Sequence, residues 1–166
     1  MNPYLSVVNQ RLFFCKLLLQ QEKMTDIGLP KLEEALCQSA LYQLQGAYSF
    51  YLREIAVSYQ FRTPETISSV EDLAAALASI NKHPAEAQEI NGLVENNASW
   101  LARMLSAYQQ LSSLPEQGEP TDLGRSLGLI DVTQVNDDAL NARQLSAWQA
   151  ALTEMIERHR EMMVEC

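Results

Sequence analysis

Glycine and proline are scarce, six of each in 166 residues, and they gather between helical segments rather than inside them. No stretch alternates apolar and polar residues over a useful length, so a sheet is not expected. No run approaches the ~20 uninterrupted apolar residues that span a bilayer. Basic residues are few, 12 Lys and Arg against 21 Asp and Glu, giving a net charge of −9. Such a surface repels phosphate backbones and anionic lipid, so neither nucleic-acid nor membrane binding is expected.

Cysteine is also sparse. Cys15, Cys37 and Cys166 make an odd count without metal-type spacing. The first two fall on apolar helix faces, where Cys acts as a small hydrophobe, and reduced thiols in the cytoplasm follow. The segment LFFCKLLL resembles a short secretory core with a lipid-modified cysteine, but no basic residue precedes Arg11 and Lys16 interrupts the run. Bulky Phe13 and Phe14 stand where cleavage needs small residues, so export is not expected.

The usual signatures of chemistry are missing too. There is no glycine-rich phosphate loop, no Gly-x-Ser-x-Gly and no His or Cys pair at metal spacing. Neither His83 nor His159 has a Glu three residues before it, which argues against a di-metal bundle. Glu86 and Glu89 fall on different sides of their helix stripe, one at its rim and one toward solvent. Arg158 and His159 are adjacent rather than one turn apart, unlike small helical ribonucleases. No cofactor and no catalytic residue is expected.

What the chain has is long helical periodicity, at 47 % hydrophobic and 20 % charged residues. The stretch Leu32 to Phe61, wound at about 100° per residue, shows one narrow polar stripe of Lys31, Gln38, Gln45, Ser49, Arg53 and Gln60. The rest is apolar or small, so this helix must be covered on several sides and reads as central. Before it, a first helix runs from Pro3 or Tyr4 to about Met24, capped by Asn2, with Tyr4, Val8, Leu12, Cys15, Leu18 and Leu19 inward. Gly28 suits a helix stop and Pro30 opens the next helix, so the pair forms an antiparallel hairpin.

Downstream, Ser68 with Glu71 forms a capping box for a short helix from Val70 to Ile80. Pro84 opens a long helix to about Leu111. The last helix starts at Asn136 or Asp137 and reaches about Met163, with Leu145, Trp148, Leu152, Met155, His159 and Met162 along one seam. The expected fold is a single all-α domain: a four-helix up-down-up-down bundle with one short extra helix and a long loop, 112–136, before the last helix. Leu123 to Val132 is expected to dock on the bundle and Pro115 to Pro120 to stay mobile.

Six polar residues fall within apolar stripes: Arg11, Gln43, Glu54, Asn97, Gln144 and His159. Buried polar groups need partners, so these should meet one another in a network that fixes helix register. The topology predicts Arg11 with Gln43 and Asn97 midway along the bundle, and Glu54 with His159 near one end.

The opening NPYLSVVNQRLFFCKLLLQQ and the segment LCQSALYQLQGAYSFYLREIA resemble a family of small uncharacterised all-helical bacterial proteins. The resemblance covers the first two helices and implies a helical fold in a bacterial cytoplasm. It carries no functional residues. The expected role is a non-catalytic interaction or regulatory bundle whose partner is another protein or a second copy. The alternative is a small-molecule-binding bundle with a polar site in its core.

Overall fold

The computed structural model describes residues 2–24, 29–113 and 140–164. Among these it is all-α: α1 (Pro3–Met24), α2 (Pro30–Ser58), α3 (Val70–Ser79), α4 (Ala85–Glu95), α5 (Trp100–Ser112) and α6 (Ala142–Val164), with a 3-10 turn at Pro64–Thr66 and no strand. The stop expected at residues 25–28 and residues 114–136 of the expected loop, with its docked and mobile parts, lie outside the described residues.

Helix α2 is central because its apolar arc is so wide. Cys37, Ala40, Leu41, Leu44, Ala47, Tyr48, Tyr51, Leu52, Ile55 and Ala56 are all buried along its length. It packs against α1, α3, α5 and α6, and one continuous cluster of buried side chains joins them. Asn2 meets Glu54 and Ser58 while Arg11 meets Gln43, so α1 and α2 are antiparallel. In α1 the expected inward residues Val8, Leu12, Cys15 and Leu19 are buried, whereas Tyr4 and Leu18 are only partly covered.

The segment expected as one long helix from Pro84 is two. Helix α4 ends at Glu95 and α5 begins at Trp100. Ser99 causes the break: its hydroxyl donates to the Leu93 carbonyl and accepts from the Ala102 N–H, capping α5. Helix α2 also stops three residues before Phe61. Gln60 takes φ 62°, and the Phe61 and Gln60 N–H groups return to the Ala56 and Val57 carbonyls, a Schellman closure without glycine. Asn81, at φ 57°, closes α3 the same way through Lys82 and Leu77.

Two starts shift as well. The capping box of α3 uses Ser69 and Asp72 rather than Ser68 and Glu71, because the helix begins one residue later than that pairing needs. Helix α6 begins at Ala142 rather than Asn136 or Asp137, with the Asn141 side chain accepting from the Gln144 N–H.

Candidate functional site

Polar side chains converge where the end of α2 meets α1, α4 and α6. Glu54, 2 % exposed, receives two parallel hydrogen bonds from Arg160, Nε to Oε1 at 2.7 Å and Nη2 to Oε2 at 2.8 Å. This fork-on-carboxylate geometry is the strong form of an ion pair. The third arm of the guanidinium, Nη1, donates to Asn9 Oδ1 at 2.8 Å. Asn2 closes the end by donating to the Glu54 carbonyl at 2.8 Å while accepting from the Tyr4 N–H. One pair of side chains therefore ties α1, α2 and α6 together.

His159 is fully buried beside it. Its Nδ1 lies 2.8 Å from the Tyr51 hydroxyl and its Nε2 lies 3.0 Å from Glu89 Oε2. Glu89 also takes two bonds from Arg158, at 2.7 and 2.9 Å. Those Arg158 bonds, helped by His159, hold the Glu89 carboxyl down at about 2, so it is an ionised acceptor. Burial pushes the Tyr51 hydroxyl up, so it keeps its proton. Tyr51 can then donate to Nδ1 while Nε2 donates to Glu89, so both ring nitrogens have partners. On the same side of α2, Tyr59 donates to Glu86 at 3.1 Å, and Glu86 is 4 % exposed in the first turn of α4.

Midway along the hairpin, Arg11 Nη1 donates to Gln43 Oε1 at 3.1 Å. The Arg11 side chain passes over Gly46, where a Cβ would stand 3.4 Å away in ordinary contact. The Phe50 ring lies between two guanidiniums, with Arg11 at 5.9 Å and Arg53 at 5.4 Å from its centroid.

Set against the six candidates, the structure joins Arg11 to Gln43 but does not join Glu54 to His159. Successive residues on α6 point about 100° apart, so His159 faces Tyr51 and α4 while Arg160 faces Glu54 and α1. Asn97 is exposed in the break between α4 and α5, outside any core network. Gln144 is half-buried on the wall of a cleft that Asn97 also lines, away from the other four. Glu86 and Glu89, read from sequence as a rim and a solvent position, are instead buried and ion-paired respectively. Arg160 and Tyr51 were not among the candidates at all. A signal for Arg160 existed: Gln149, Thr153, Ile156, Arg160 and Met163 recur at 4-3-4-3 spacing, a second seam on α6.

This arrangement ties α1, α2, α4 and α6 together. No buried side-chain polar atom among the described residues lacks a hydrogen-bond partner. No group of His, Cys, Asp and Glu among them could hold a metal. Burial pushes the Cys15 thiol up to about 12, and burial with nearby Glu22 and Glu33 raises Cys37, so neither is an activated nucleophile. Among the described residues, clefts open on the surface, and two bear on the site. The larger, about 1160 Å³, is lined by Glu22, Glu33, Glu34, Arg103, Gln144 and Trp148 among others, and its rim at Pro30 and Leu140 adjoins residues outside the described ones. The smaller, about 200 Å³, lies between α3 and α4 beside Leu77, His83 and Ala87. Neither is lined by Tyr51, Glu54 or His159.

Fold and site together define an all-α protein whose central helix is tied to its neighbours by an ion pair and a buried histidine. The chain belongs to the family of unknown function DUF6586, with a match that spans residues 1–166. No curated protein matches it, and no solved structure does. Among the described residues no helix is long and apolar enough to cross a membrane.

Proposed function

We propose that this protein is a non-catalytic interaction or regulatory bundle of the bacterial cytoplasm that engages another protein through its surface. The observation that carries this reading is the outer face of α1, where Phe13, Phe14 and Leu17 are 56, 41 and 44 % exposed. Contiguous exposed apolar side chains on an acidic protein mark an interaction site more often than a solvated face. The closed polar core supports the same reading, because among the described residues it leaves no buried side-chain polar atom unpaired to receive a substrate. The test is recovery of a specific protein by the immobilised wild-type chain but not by a Phe13→Glu/Leu17→Glu variant. Equal recovery by both would refute it.

The larger cleft favours a second reading, a small-molecule-binding bundle. A ligand binding only the native state at about 100 times its Kd would stabilise the fold by about 2.7 kcal/mol, readable as a thermal shift. An interaction protein should show no such shift with metabolites.

A further inference from the structure

We infer that Arg11 and Arg53, gathered on Phe50 at the seam between α1 and α2, form a binding site for a short-chain dicarboxylate. The site is separate from the outer face of α1, and none of its three residues lines either cleft. Its failure would leave both readings above intact.

Charge without a counter-charge is the first observation. The chain has 21 Asp and Glu for 12 Lys and Arg. Arg158 and Arg160 each take a carboxylate through two hydrogen bonds. Arg11 and Arg53, both half-buried, meet no carboxylate among the described residues. Both guanidiniums stand instead at one ring, 5.9 and 5.4 Å from the Phe50 centroid. The ring attracts each cation but neutralises neither, and two like charges gathered there repel. An anion brought from outside relieves that repulsion.

Each guanidinium is also held in place with one edge free. Arg11 Nη1 donates to Gln43 Oε1 at 3.1 Å, which leaves its Nε and Nη2 hydrogens on a common edge. Arg53 Nε donates to the Ile67 carbonyl at 3.1 Å, which leaves its Nη1 and Nη2 edge. A two-donor edge of this kind fits the two oxygens of a carboxylate. Side chains already fixed lose little freedom on binding.

The ring between the two guanidiniums sets the ligand. A compact oxyanion does not reach both, so the ligand carries two carboxylates on a short aliphatic spacer that lies along the part-exposed Phe50. A molecule of about nine non-hydrogen atoms, such as glutarate, then binds with a Kd on the order of 1 mM. At micromolar metabolite such a site stays empty and leaves the thermal midpoint unmoved.

Nitrogen-15 NMR of the full chain reads the site through the Arg11 and Arg53 Nε–H signals, at constant ionic strength, with glutarate, butyrate and inorganic phosphate as probes. Glutarate should shift both signals with half-saturation at about 1 mM. Butyrate, with one carboxylate, and phosphate, which is compact, should each bind at least about tenfold more weakly. Arg11→Gln and Arg53→Gln should keep the wild-type circular dichroism, and each should weaken glutarate about tenfold. Should a variant lose its fold, the comparison of glutarate with butyrate on the wild-type chain decides alone. No saturation up to about 50 mM, butyrate or phosphate within about threefold of glutarate, or a folded variant that binds glutarate like the wild type overturns the inference. Equal shifts at Arg103, exposed on the larger cleft, also overturn it, because they report general anion binding.

Discussion

Replacing Arg160 with Met keeps an aliphatic stem of similar reach and removes the guanidinium. Glu54 is 2 % exposed, and both of its carboxylate oxygens are held by Arg160 at 2.7 and 2.8 Å. Arg160→Met therefore strands a buried charge, which costs about 3–5 kcal/mol. That is a large part of the ~5–15 kcal/mol by which a domain is stable. With a urea m-value of about 2 kcal/mol/M, the unfolding midpoint by circular dichroism should fall by about 1.5–2.5 M. Glu54→Met/Arg160→Met leaves no buried charge, and should recover to within about 1 kcal/mol of the wild type. The reasoning fails if Arg160→Met loses under about 1 kcal/mol, or if the double variant loses the sum of the singles within about 0.5 kcal/mol.

Glu89, held at about 2 against an ordinary 4.5, contributes stability that is present above pH 4.5 and lost as pH falls toward 2. Its partial exposure reduces this to about 1–2 kcal/mol, and the fall in urea midpoint from about pH 6 to about pH 3 should be smaller for Glu89→Gln than for the wild type. Gln60→Gly should raise stability by about 0.5–1 kcal/mol in thermal unfolding, since Gln60 occupies φ 62° and glycine does so without strain. Ser99→Ala removes both the α5 cap and the bond to Leu93, and should lower the urea midpoint by an equivalent of about 1–2 kcal/mol. Asn97→Ala, at an exposed position, should stay within about 0.5 kcal/mol of the wild type.

The helices were legible because their apolar periodicity is strong. The central place of α2 followed from an arc too wide for one neighbour, and the all-α class from the absence of alternation. What failed was local and turned on single residues. Ser99 was legible only as one more residue of its helix's polar face, yet its hydroxyl satisfies two backbone groups and splits the helix. Gln60 gives no hint of a left-handed stop, because glutamine rarely takes that conformation. In the polar core, the presence of Glu54 and His159 could be read from the stripes, but their partners could not. Pairing depends on the rotation of α6 against α2, and a turn of one residue exchanges His159 for Arg160. Phe13 and Phe14 illustrate the converse: they fall off the inward stripe of α1, and the packing leaves them exposed.

The central claim is that this protein works through the outer face of α1 and not through its core. Hydroxyl-radical footprinting tests it directly, by comparing the dilute purified chain with the same chain in its native lysate. Leu32 and Tyr42, exposed at 40 and 47 % on α2, serve as internal references. The account predicts that labelling of Phe13, Phe14 and Leu17 drops in lysate while the references are unchanged. Equal labelling of those three residues in both conditions, or protection of Leu32 and Tyr42 instead, would contradict it.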